Sequence, residues 1–189
     1  MVKNWPSGML MWQVNQDMTK LFLLALTSAM FLTAQTPDYS SATAYARTFQ
    51  ATLHRNIEKS AEKLPAEAYS FRPSHDVRTS AEMFGHIANA EYNYCAIVAG
   101  EPNPNKTNIE KEKKSKAEII EALKAAFAYC EKAYADVNDD KIAAKVKVGQ
   151  TERNVIGLMW YNNTHSNEHY GNLVTYLRIR GIVPPSSER

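Results

Sequence analysis

Apolar residues recur at close to a 3.6-residue period in four stretches of the chain, and each stretch has a recognisable stop. The first runs from about Tyr39 to Leu64, with Ala42, Tyr45, Phe49, Leu53, Ile57 and Leu64 on one face. Pro65 ends it, and a short turn through Tyr69 is expected to follow. The second opens at Thr79, whose spacing to Glu82 is that of a capping box, in which hydroxyl and carboxylate satisfy free backbone donors. It continues through Met83, His86, Ile87, Ala90, Tyr94 and Ile97 to Gly100. The third opens near Ser115, again boxed by Glu118, and passes Ile119, Leu123, Ala126, Phe127, Cys130 and Tyr134 to Val137. The fourth spans about Glu152 to Arg180, where Gly181 suits a left-handed C′ position and Pro184-Pro185 prevent continuation. Between the third and fourth, "KVKVG" alternates and predicts a short extended piece. The charged run "EKEKKSK" before the third helix reads as solvated helix surface or linker. Four amphipathic helices with little strand signal predict an all-α four-helix bundle, without an internal repeat or a second domain.

The N-terminal pattern is different. "MTKLFLLALTSAMFLTAQ" has Lys20, an apolar run from Leu21 to Leu32, and small residues ending at Ala34. This is a signal-peptide layout, and the run falls short of the ~20 residues that span a bilayer. A buried first helix is the competing reading. The expected organisation is therefore 1–17 as an extension ahead of an alternative start at Met18, 18–34 as signal peptide, and 35–189 as the bundle. Cleavage near Ala34 leaves 189 − 34 = 155 residues, exported to a periplasmic or extracellular space with no stable membrane anchor. In such surroundings Cys95 and Cys130 could join two helices by a disulfide, or stay as two buried thiols. Two cysteines are too few for a thiolate zinc site of their own.

Charge changes the picture little. Lys and Arg number 22 against 20 Asp and Glu, a balance that gives no case for nucleic-acid binding.

The chemistry concentrates in "NTHSNEHYGNL", residues 163–173. His165-Ser-Asn-Glu168-His169 spells H-x-x-E-H, the inverted zinc-protease pattern, and residues four apart leave the same face of a helix. Such a protease needs a carboxylate ligand well downstream. Only 20 residues follow His169, and Glu188 is the sole acidic one among them. The peptidase reading fails on that count. A third ligand must come from upstream, where His54, His75 and His86 remain. His75 lies in a proline-bounded loop, and His54 follows Leu53 at a core edge. His86 shares a mixed polar and apolar strip with Met83, Asn89, Ala90 and Asn93 that would suit a pocket wall.

The stretches "LPAEAYSFRPSHDVRTSAEMFGHIANAEYNYC" and "NNTHSNEHYGNLVTYLRIRGIVPPSS" resemble the DinB/YfiT-like superfamily of four-helix-bundle metalloenzymes, over about Tyr39 to Pro185. The resemblance implies one divalent metal ion held by His86, His165 and His169. It also implies metal-dependent transfer on low-molecular-weight thiols as one activity class, although those thiols are mainly cytosolic and this chain carries an export pattern.

Three imidazoles leave a coordination position open, which suits activation of a water or a thiol of a small-molecule substrate. Zinc is the first choice for the ion, and nickel and iron accept the same donors. Glu168 is the candidate general base or outer partner of an imidazole. Asn89, Asn93 and Asn162 are pocket candidates that could orient water or substrate, or cap the polar end of the bundle. A hydrolase or thiol-type transferase is thus expected. A non-catalytic metal-binding or stress-related module is the alternative, and either could form a homodimer.

Overall fold

The computed structural model describes residues 36–138 and 140–188. The expected signal peptide and the extension before it lie outside these residues. The elements are α1 (Ala42–Lys63), α2 (Ser80–Ala99), the single turn α3 (Ile109–Glu112), α4 (Lys116–Ala135), a hairpin of β1 (Lys145–Val148) and β2 (Thr151–Asn154), and α5 (Val155–Ile179). Both anticipated capping boxes form, Thr79 with Glu82 on α2 and Ser115 with Glu118 on α4. The fourth helix starts later than its pattern predicts. Residues 151–154 pair with β1, and the Asn154 side chain caps α5 by accepting from Gly157 N at 2.8 Å. At its other end α5 closes in a Schellman motif: Ile182 N donates to Leu177 O at 2.9 Å and Gly181 N to Arg178 O at 3.0 Å. Gly181 has φ +72°, which only glycine adopts without cost. Among the described residues no helix is long and apolar enough to cross a membrane.

α1 and α2 each pack against both α4 and α5. The order around the bundle is therefore α1, α4, α2, α5, with the consecutive helices α1 and α2 on a diagonal. A diagonal step needs a connection that crosses the end of the bundle. The α1–α2 link is accordingly long and carries a 3-10 turn, Ala66–Ser70, pinned by Tyr69 Oη donating to Ala61 O at 2.8 Å. The step from α4 to α5 is also diagonal, and the hairpin fills it.

The apolar face of α1 holds as predicted at Leu53, Ile57 and Leu64, which are buried, but differs over its first turns. Ala42 and Tyr45 are exposed, while Ala46 and Gln50 are buried. Tyr45 and Phe49 instead stack along Trp160 of α5, with centroids 5.4 and 6.0 Å away, and cover the bundle flank.

Two apolar clusters make the core. One holds Leu53, Ile57, Phe84, Ile87, Leu123 and Leu173 among others, and the second is built around Ala46, Cys95, Cys130, Tyr134, Leu158 and Met159. A layer of buried polar side chains separates them, with every long helix contributing except α4, whose Cys130 and Phe127 bracket the level. Gln50 and His54 come from α1, Glu91 from α2, and Asn162 and Ser166 from α5. Glu91 is the hub. It accepts from Ser166 Oγ at 2.7 Å and from Asn162 Nδ2 at 3.0 Å, and lies 3.3 Å from His54 Nε2. Burial opposes a charge there, but His54 and these donors outweigh it and hold the Glu91 carboxyl below its ordinary range. Burial likewise opposes a charged His54, yet Glu91 and Glu131 lift it to about 9.

Candidate metal centre

α2 and α5 are neighbours in the bundle, so side chains on their facing sides can meet although the sequence separates them by 79 residues. His86 lies in the second turn of α2. His165 and His169 lie one turn apart on α5. The three Nε2 atoms converge: His86 to His165 is 3.2 Å, and His169 to His165 is 3.1 Å. His169 is buried, and the other two are half-buried.

His86 has an orienting partner. Glu110 Oε2 accepts from His86 Nδ1 at 3.1 Å, while Oε1 accepts from Arg78 Nε at 2.8 Å. Burial works against a charge on Glu110, but the hydrogen bonds from Arg78 and His86 hold its carboxyl below the usual range. A carboxylate on one ring nitrogen fixes the tautomer, placing the proton on Nδ1 and the lone pair on Nε2. Glu110 belongs to α3, within the segment whose charges read as solvated surface or linker. The fold corrects that reading at one position: Glu110 reaches the candidate centre, next to the buried Ile109. Gly85 permits the approach. A Cβ there would lie 2.6 Å from Glu110 Cα and 2.8 Å from Glu110 N.

The donor set fits a cation. With His86 protonated on Nδ1, its Nε2 presents a lone pair to His165 Nε2, which also faces His169 Nε2. A ring nitrogen carries at most one proton, and one on His165 Nε2 can point well at only one of its two neighbours, so at least one of the two contacts is poorly satisfied as a hydrogen bond. A divalent ion could accept all three lone pairs at once. His165 and His169 are also held toward the neutral imidazole. Burial, then the neighbouring His86, depresses His165; burial, then His165 and His86, brings His169 down to about 4. Among the described residues no further His, Cys, Asp or Glu joins this group, so three donors could hold the ion and leave a position open.

A cavity of about 730 Å³ opens beside His169. Its walls include Met83, Arg78, Glu110, Glu168 and Tyr176. Glu168 is exposed on that wall and makes no ion pair or hydrogen bond among the described residues. Asn89 and Asn93 line a different hollow, of about 290 Å³, with Asn103, Asn105 and Asn108. Asn162 sits in the polar layer on Glu91 rather than on the cavity wall. His54 is buried in that same layer, and His75 stands exposed in its loop. Sequence reasoning does not find Glu110 or Arg78, because nothing in a run of alternating charges marks the one carboxylate that faces a histidine 24 residues away.

Three solved structures share the fold. A DinB-like protein of Bacillus subtilis has 15% identity and a TM-score of 0.62, covering 76% of this chain and 98% of that one. A DinB-like protein of Bacillus cereus has 15% identity and a TM-score of 0.63, covering 73% and 94%. A conserved protein of Enterococcus faecalis has 12% identity and a TM-score of 0.61, covering 72% and 95%. A search of the curated proteins finds no match. The profile of the DinB superfamily matches residues 48–173, most of the bundle and all three histidines, and the chain belongs to that superfamily.

Proposed function

We propose that this protein is a divalent-metal-dependent enzyme that activates a water or a thiol for hydrolysis or thiol-type transfer on a small molecule. The observation that carries the reading is the convergence of three Nε2 atoms beside a cavity large enough for a substrate. A closed structural site would have a fourth protein donor and no adjoining space. When bound, the ion supplies a Lewis acid that lowers the pKa of a water or thiol brought to the open position, and zinc is the first choice.

The chain's own residues do the rest. Glu110, braced by Arg78, keeps His86 in the tautomer that donates its Nε2 lone pair. Glu168 stands at the cavity wall as a carboxylate free to take the proton that the nucleophile loses. Arg78 lines the same cavity, where its guanidinium can meet an anionic group of the substrate. The leader pattern of residues 18–34 supports export, so the substrate is one met outside the cytoplasm. Recovery of native protein with an intact N-terminus would overturn that part.

Elemental analysis of the protein as isolated, beside His86→Ala and His165→Ala, tests the centre. About one divalent ion per chain is expected, lost or much weakened in both variants. Unchanged metal content would overturn the assignment. Catalysis is tested separately with Glu168→Gln, which should retain the ion and lower turnover about 10²-fold or more on any ester or thiol substrate found.

A further inference from the structure

Outside the three-histidine group, one other cluster of metal-ligating atoms occurs among the described residues. The Glu91 carboxylate and the sulfurs of Cys95 and Cys130 all lie within 4.8 Å of one another. We infer that this cluster, completed by His54, is a second and redox-gated metal site, which encloses one thiophilic divalent ion when its two cysteines are reduced.

The placement of the donors supports this. Cys95 follows Glu91 by one turn of α2, on the same face, with Sγ 3.9 Å from Glu91 Oε2. Cys130 arrives from α4, with the two Cα atoms 5.1 Å apart. His54 arrives from α1 with its buried Nε2 in an ion-pair contact, 3.3 Å from Glu91 Oε2. All four residues are at most 3% exposed. His54 repeats the arrangement seen at His86. Its Nδ1 faces a carboxylate, Glu131 Oε1 at 3.4 Å, and its ring is fixed by stacking on Phe127 at 3.9 Å. A carboxylate on one ring nitrogen, with the other aimed into a donor cluster, is the usual surrounding of a histidine ligand. Amide donors wait for the sulfurs as well. Asn162 Nδ2 lies 3.6 Å from both, and Gln50 Nε2 lies 3.2 Å from Cys130 Sγ. N–H groups of this kind stabilise thiolates.

The structure pairs Cys95 with Cys130 as a disulfide, the state in which the sulfurs have no charge to offer an ion. A dithiol reductant converts it by exchange: the protein S–S bond breaks, the reductant forms its own, and two electrons and two protons pass to the cysteines. Entry of the ion then displaces the two thiol protons and the proton on His54. Two sulfurs, one nitrogen and one carboxylate oxygen are the donor types of a four-coordinate zinc site, with the His54 nitrogen drawn in toward the ion beside Glu91. Such a site is closed, unlike the three-histidine centre. The ion would also take over Glu91, which otherwise holds Ser166 and Asn162, residues of the helix that carries His165 and His169.

Cobalt(II) is the probe, because sulfur-bound cobalt absorbs in the near ultraviolet and imidazole-bound cobalt does not share that band. The full chain is titrated anaerobically after reduction and removal of the reductant, with an oxidised sample in parallel. The reduced chain should gain the charge-transfer band and roughly double its metal content per chain, and zinc should displace the band. In reduced His54→Ala the affinity should fall about 10-fold or more, and Cys130→Ser should lose the band. Equal cobalt uptake by reduced and oxidised chain, without the band, overturns the inference. So does a band unchanged in both His54→Ala and Glu91→Gln. The wild-type comparison needs no substitution, so the outcome does not depend on whether a variant folds.

Discussion

Glu110 accepts a hydrogen bond from Nδ1 of His86 at 3.1 Å, and it comes that close because the residue before His86 has no side chain. The contact makes Glu110 part of the candidate metal centre without making it one of its three donors. Glu110→Ala should therefore lower metal affinity by about 10–100-fold while leaving the three imidazoles in place. Competition against a chromophoric chelator measures this, and unchanged affinity would remove Glu110 from the centre.

Gly85→Ala tests the same geometry from the other helix. In an exposed helix the change stabilises by up to about 1 kcal/mol. Here the new methyl meets Glu110 backbone, so α3 must move, and destabilisation of about 1–3 kcal/mol is expected, with weaker metal binding as well. Denaturant unfolding of the metal-free chain reads the sign.

The histidines titrate in opposite senses. In the metal-free chain His169 falls from 6.5 to about 4, so between these values the unfolded chain holds a proton that the native chain lacks. Its contribution to stability is full above about pH 6.5 and declines as pH falls to about 4. His54 rises from 6.5 to about 9, so the native chain holds the extra proton. That contribution is full below about 6.5 and is lost as pH rises through 9. Unfolding free energy against pH should therefore weaken on both sides of about 6.5. His54→Gln should flatten the alkaline limb, and His169→Asn should reduce the acid one.

Removing the hub of the polar layer should cost more than any surface change. Glu91→Ala removes the buried carboxylate that faces His54, Ser166 and Asn162, and breaking one side of a buried pair costs about 3–5 kcal/mol. Replacing both partners, as His54→Leu with Glu91→Met, should recover much of that loss in a double-mutant cycle by urea unfolding. A cycle without coupling would mean that the two residues do not interact.

Much of this was open to reading along the chain. The capping boxes, prolines and Gly181 mark helix ends because those signals act within one turn, and His165 and His169 announce a shared face through their spacing. The start of α5 escaped because strand pairing of 151–154 depends on a partner strand, which helical periodicity does not register. The buried face of the first turns of α1 is illegible for a related reason: Tyr45 and Phe49 are apolar but serve the flank against Trp160, while Gln50 goes inside to meet Cys130. Glu110 and the polar layer were the least legible. Each member of the layer is a lone polar residue on its own helix, and only the packing of those helices brings Glu91 to Ser166, 75 positions away.

That layer also sets the axial alignment of the bundle. Apolar helices can slip past one another by a turn, about 5.4 Å, and still bury oil against oil. A slip of α5 along α2 would take Ser166 and Asn162 away from Glu91 and leave a carboxylate alone in the core. The same slip would carry His165 and His169 a full turn past His86. The buried carboxylate thus works as a ratchet pin, and the three-histidine group inherits its alignment from a residue that never touches it.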